Sequence, residues 1–356
     1  MQNHKKHEEK SMKEAKQLLD WYNKNKRDLP WRHTSDPYAI LVSEIMLQQT
    51  QVDTVIPYYL RFMERFKTLQ DLAEASEDEI HLYWQGLGYY SRVRNLQQAT
   101  KQMIENSDGH VPANKEALLS LKGIGPYTSH AVLAIAFNQP YFALDGNGLR
   151  IISRLYQIEE NIALKKTQDH IQKLGQRFVE NYPAGSINQA FMDLGATICK
   201  PKNPKCIVCP LRSFCKSFLN HYEKVLPINI KKVNKQTLTF ITGIITYQDK
   251  LLLIKNDQTN LLASLYHCIQ YQVGTPFYFQ EQFLKEHQVS LKLNDYLGKV
   301  KHVFSHQTWL MHVYHFELDQ EIDHLYTKKE IDLLPISTAH RKVIDLYEAF
   351  CKLESQ

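Results

Sequence analysis

The stretch CKPKNPKCIVCPLRSFC, residues 199 to 215, sets four thiols, Cys199, Cys206, Cys209 and Cys215, in one short loop interrupted by prolines. Thiols this dense can close around a metal centre, because soft sulfur ligands suit zinc or an iron–sulfur cluster. Four unligated buried cysteines are the plainer alternative, although such clustering is unusual outside metal sites. Zinc modules commonly carry two Cys-x-x-Cys pairs, and this loop has one, Cys206 with Cys209. Lys200, Lys202, Lys205 and Arg212 add positive charge that suits phosphates or is simply solvated.

The rest of the chain sets the context for that loop. Its 356 residues allow two or three domains, each with its own core. Hydrophobic residues at 43% and charged residues at 23% match ordinary globular proteins. No apolar run is long enough to span a membrane, and MQNHKKHEEKSMKEAK lacks the apolar core of a secretory signal. A cytoplasmic protein is therefore expected, whose six cysteines bind metal or are buried rather than forming disulfides. A formal charge of +5 permits an anionic partner.

Residues 1–225 read as a string of helices with apolar spacings near three and four, such as PYAILVSEIMLQQ, RVRNLQQATKQMIEN and TSHAVLAIAF. Residues 226–236 are polar and basic, and read as a linker. From 237 to 356 the pattern changes. TLTFITGIITYQDKLLLIKN predicts two strands around a YQDK turn, and YHCIQYQV and TWLMHVYHFEL predict further strands. PFYFQEQFLKEH and AHRKVIDLYEAFCK predict helices. The expected fold class is an all-α domain followed by an α+β domain.

The C-x6-C-x2-C-x5-C spacing resembles the [4Fe–4S] loop of the endonuclease III and MutY class of helix-hairpin-helix DNA glycosylases. With that resemblance in view, Gly123 and Gly125 in LLSLKGIGPYTSHAV are similar to the family's hairpin, whose bare amides hold a DNA phosphate. Lys122 stands where the family usually has proline. Tyr127 occupies the position of the lysine nucleophile of the bifunctional branch, and a phenol cannot form a Schiff base. The resemblance therefore implies a monofunctional enzyme of the MutY type.

LDGN, containing Asp145 and Asn147, resembles the catalytic stretch of that type, although on local sequence Asp145 reads first as a helix cap. WRHTSDPYAILVSEIMLQQTQV resembles its acid-bearing motif, with Asp36-Pro37 as a helix start and Glu44 on an apolar wall that would raise its pKa. The resemblance implies that Glu44 protonates adenine, that Asp145 stabilises the sugar cation, and that Asn147 and Tyr127 orient them. It further implies an adenine pocket at Arg27, Trp31 and Arg32, and DNA contact at Gln48. Gln49 and Tyr89 would wedge into the duplex, and Thr50 and Leu87 would contact the opposite base. The C-terminal part is similar to a Nudix-like recognition domain. In it the loop HVFSHQTW would read 8-oxoguanine through Ser305 and His306, with Phe304 setting the loop. FQEQFLKEH lacks the Glu-rich helix of a Nudix hydrolase, so no pyrophosphohydrolase activity is expected. The expected partner is double-stranded DNA carrying adenine opposite 8-oxoguanine, bound by a monomer. Two other readings remain: an endonuclease III-like enzyme for oxidised pyrimidines, and a non-catalytic iron–sulfur DNA-binding protein.

Overall fold

The structure is a computed structural model describing residues 2–230, 236–256, 262–272, 274–304 and 307–354, without the side chains of the first eleven residues. Contacts divide it into two compact units: residues 1–74 with 94–231, and residues 75–93 with 232–356. Segment 75–93, with its helix Glu77–Trp84, was expected within the helical domain but groups with the C-terminal unit. Its side chains explain the grouping. Lys255 Nζ meets Asp78 at 2.6 Å, and Gln85 Nε2 donates to the Ile336 carbonyl at 3.4 Å. Among the described residues no helix is long and apolar enough to cross a membrane.

The first unit is helical. Helix Pro37–Leu47 starts as its sequence predicts: the Asp36 carboxylate accepts from the amides of Tyr38 and Ala39 at 3.1 and 3.3 Å, and Pro37 follows. Residues 38–46 are all buried, so this helix has no solvent face and Glu44 goes into the interior with its neighbours. A second core gathers Leu18, Phe142, Ile151, Phe178 and Phe191, with Phe191 edge-on to Phe142 and Phe178 at 4.9 and 5.1 Å. Each such side chain contributes about 1.5–3 kcal/mol on burial. This core braces helices Gly146–Tyr156 and Ala184–Thr197, whose near ends carry functional candidates.

The hairpin joins helix Lys115–Ser120, capped by Asn114, to helix Pro126–Phe137, capped by Gly125. Gly123 has φ +77°, and a Cβ there would lie 2.5 Å from Asn95 Cβ. Only glycine satisfies both conditions at this turn.

The second unit is α+β. Its strands are β1 (Gln236–Tyr247), β2 (Lys250–Leu252), β3 (Ile254–Lys255), β4 (Tyr266–His267), β5 (Gln270–Gln272), β6 (Leu291–Val303), β7 (Gln307–Leu318) and β8 (Leu325–Tyr326). The main sheet runs β6-β7-β1-β2-β8, with β5 also on β1, and β3 pairs with β4. β1 runs parallel to β7 from Gln236 opposite Gln307 to Thr246 opposite Glu317. β6, which the sequence pattern did not suggest, pairs antiparallel with β7 through two bulges. Helix Pro276–His287 packs on this sheet through Phe279, stacked 4.6 Å from Phe316.

Candidate active site

Several elements of the first unit line one cavity of about 180 Å³. An apolar cavity of about 150 Å³ takes up benzene, so this one suits a flat bicyclic ring. Glu44 comes from helix Pro37–Leu47, Tyr127 from the first turn after the hairpin, and Asp145 and Asn147 from the start of helix Gly146–Tyr156. Arg27, Trp31 and Arg32 line another wall. Thr50 lines the same cavity.

Glu44 is 3% exposed. Burial raises its carboxyl from the ordinary 4.5 to about 7; Asp145 adds to the rise, while Tyr127 and Arg32 oppose it. The Tyr127 hydroxyl donates to Glu44 Oε2 at 2.7 Å. Burial beside the two carboxylates pushes the phenol well above its usual range, so it stays neutral and donates. The acidic proton is thus left to Oε1.

Asp145 caps its helix and lines the cavity. Its Oδ1 accepts from the Gly148 amide at 2.7 Å and caps the helix, and its Oδ2 accepts from Asn147 Nδ2 at 2.7 Å. Desolvation holds this carboxyl above its ordinary range, and these donors, with Arg150, offset only part of that rise. Both oxygens are held by N–H donors at a helix N-terminus, an environment that favours the anion.

Several residues in this network escaped the sequence reading. Arg150 Nη2 donates to Asn147 Oδ1 at 2.8 Å and to the Gly195 carbonyl at 2.9 Å, while its Nε donates to the Cys199 carbonyl at 2.7 Å. Asp193, fully buried, accepts from both Arg27 and Arg32. Gln189 lines the cavity, its side-chain carbonyl accepting from the Tyr22 hydroxyl. In helix Ala184–Thr197, Gln189, Met192, Asp193 and Ala196 follow helical spacing on one face, the one signal that could have flagged them. Gly195 leaves room for Asn147: a Cβ there would lie 2.5 Å from Asn147 Cβ. Gly195→Ala is expected to displace Asn147 and slow any reaction at this site on the order of 10–100-fold, since a 1 Å misplacement can cost that much. Single-turnover kinetics beside a thermal melt would separate this from unfolding.

The amides of Gly123 and Gly125 bond to nothing among the described residues, at the start of a 12-residue helix. That leaves them open to an anion. Gln49 is exposed with φ +57°, and Tyr89, in the second unit, is 42% exposed with φ +50°. Both wedge candidates therefore sit at left-handed positions uncommon for residues other than glycine. Gln48 donates through Nε2 to Thr128 at 3.2 Å. Leu87 is 5% exposed. Phe304 closes the β6–β7 hairpin through a 2.8 Å amide bond to the Gln307 carbonyl and packs against Trp309. With Tyr89 it lines a cavity of about 350 Å³ in the second unit. Ser305 and His306 lie outside the described residues.

All four loop cysteines line one small cavity walled by Leu194, Ile198, Leu211 and Phe218. Burial, then the neighbouring thiols, pushes Cys209 up to about 12 and raises Cys215 likewise. Such crowded thiols ionise together only around a cation. Among the described residues no three metal-binding side chains are placed to hold one ion. A tetra-iron cluster asks less of them: it brings its own sulfides and needs one cysteine per iron.

Two family models match. One describes the HhH-GPD superfamily of base excision DNA repair proteins, over residues 42–177, and the other the NUDIX domain, over residues 241–346. The adenine DNA glycosylase of Buchnera aphidicola subsp. Baizongia pistaciae is 35% identical over 299 residues, covering 82% of each chain. The chain belongs to the adenine DNA glycosylase family. The adenine DNA glycosylase of Mus musculus is 44% identical over 210 residues, or 56% of this chain, which spans 41% of that longer relative. Among solved structures, a thermostable thymine-DNA glycosylase shares 31% identity at a TM-score of 0.53, covering 58% of this chain and 95% of its own.

Proposed function

We propose that the chain excises adenine mispaired with 8-oxoguanine from double-stranded DNA by acid-assisted hydrolysis, and leaves the strand uncut. One observation carries the reading: Glu44 and Asp145 line a single base-sized cavity in unlike environments. The apolar wall lets one carboxyl hold a proton near neutrality, while N–H donors at a helix start favour the other as an anion.

In this mechanism a mispaired adenine is extruded into the cavity, an easier step than extruding a paired base. Glu44 gives its proton to the departing base, at N7, and the electrons of the C1′–N9 bond leave with the base. The sugar becomes oxocarbenium-like, and Asp145 stabilises it electrostatically or by a transient bond until water adds at C1′ and gives its proton to the now ionised Glu44. Tyr127 keeps the Glu44 proton on Oε1, and Asn147 aims Asp145. With a phenol at residue 127, the Schiff-base route to strand cleavage lacks its amine.

The hairpin amides would hold a backbone phosphate, Gln49 and Tyr89 would fill the vacated stack, and the Phe304 loop would read the opposite 8-oxoguanine. Cys199, Cys206, Cys209 and Cys215 would hold a [4Fe–4S] cluster, which when bound fixes the loop and its lysines as a structural and electrostatic element.

Duplexes carrying adenine opposite 8-oxoguanine, thymine glycol or no lesion test the substrate. Cleavage is expected only for the first and only after hot alkali. Cleavage of the thymine glycol duplex without alkali would point to an endonuclease III-like enzyme instead. The rate should also fall with rising pH above 7, because the acid form of Glu44 is the active one, and fall again toward acid pH as Asp145 takes up a proton. A rate that rises with pH above 7 excludes the assignment.

A further inference from the structure

Asp193 stands at the back of the cavity wall in helix Ala184–Thr197 and is fully buried. Its carboxylate accepts four hydrogen bonds. Arg32 grips it as a fork, Nη1 to Oδ2 at 2.8 Å and Nη2 to Oδ1 at 2.9 Å. Arg27 adds its backbone amide at 3.0 Å and its Nε at 2.7 Å. The Nη groups of Arg27 have no partner among the described residues, and Arg27 lines the cavity with its side chain 27% exposed. An arginine tied down by Nε keeps its terminal amino groups in a fixed plane. Burial pushes the Asp193 carboxyl up, but the two arginines outweigh burial and hold it below its ordinary range.

The geometry points to Asp193 as a positioning residue for base release: it fixes Arg27 toward the base and cancels one of two arginine charges, so that Glu44 keeps its proton. This rests on the functional reading above. The charged and titratable groups facing Glu44 come from four elements besides its own helix. They are Tyr127 after the hairpin, Asp145 before helix Gly146–Tyr156, the Arg27 and Arg32 segment, and Asp193 behind those arginines. Two cations against one anion leave a single positive charge on that wall. Without the anion there are two, and each lowers the affinity of Glu44 for a proton. A purely structural bolt between residues 27–32 and helix Ala184–Thr197 would slow the reaction equally at every pH.

The test is the pH profile of single-turnover adenine release by the full-length protein, for wild type, Asp193→Asn, Arg32→Gln and the double variant. In Asp193→Asn the falling limb should move to lower pH by roughly half to one unit. In Arg32→Gln it should move to higher pH, and in the double variant it should return toward wild type. Should Asp193→Asn fail to fold, the difference between Arg32→Gln and the charge-balanced double variant reads the same effect. A limb that stays put in Asp193→Asn, or does not differ between those two, overturns the inference while leaving the wild-type profile and the proposed function intact. A wild-type profile without a falling limb near 7 removes the functional reading, and this inference with it.

Discussion

Glu44→Gln is expected to lower adenine release by roughly 10⁴-fold, the upper end of what a positioned acid contributes, while duplex binding changes little. Glutamine keeps the size of the side chain and can still accept from the Tyr127 hydroxyl, so cavity and fold are preserved. What it lacks is a transferable proton. The same variant should be more stable than wild type in alkaline buffer. The folded carboxyl takes up its proton at about 7 and an unfolded one at 4.5, so between these values the native state binds more protons. The benefit of that protonation is fully present below 4.5 and is lost as pH rises through 7. The interval of 2.5 units corresponds to about 3 kcal/mol. Thermal midpoints of the two proteins should therefore differ more at pH 8 than at pH 5, with Glu44→Gln the higher. A variant that releases adenine at the wild-type rate, or gains no stability at pH 8, would show that residue 44 is not the acid. Slower catalysis with greater stability is the combination expected of a strained functional group, not of a packing residue.

That contrast separates what was legible in the sequence from what was not. Asp36-Pro37 announced a helix start because capping is a matter of three or four adjacent residues, and the cap formed as expected. The hairpin glycines were legible for the same reason: a left-handed turn is a local demand, met at Gly123. Asp193, by contrast, meets Arg27 and Arg32 across more than 160 residues of chain. Nothing adjacent to it in INQAFMDLGAT marks it as anything but a polar helix residue. Arg150 is similar: its partners Gly195 and Cys199 belong to a helix and loop about 45 residues away. Segment 75–93 reads as a helical continuation in sequence, yet Asp78 and Gln85 bond to residues beyond 250. Periodicity reports a helix and is silent about its neighbours.

Asp145→Asn should separate capping from chemistry at a residue that does both. Asparagine is as good an N-cap as aspartate, so the bond from the Gly148 amide, 2.7 Å in the parent, can be kept and the melt should move little. The second oxygen changes more. In the parent, Oδ2 accepts from Asn147 Nδ2 at 2.7 Å. In the variant either an NH₂ meets that donor or the amide turns and gives up the cap. In both cases the negative charge is gone, and a sugar acquiring positive charge loses its closest counter-ion. Removing one preorganised electrostatic partner typically costs 10²–10³-fold in rate, and that is the expected loss in single-turnover adenine release. Losing the Asp145 charge also removes one of the influences that raise Glu44, so the falling limb of the pH profile should move to lower pH. A uniform loss with the limb unmoved would assign Asp145 to capping alone. A lower rate, a shifted limb and an unchanged melt together would identify it as the anion opposite Glu44.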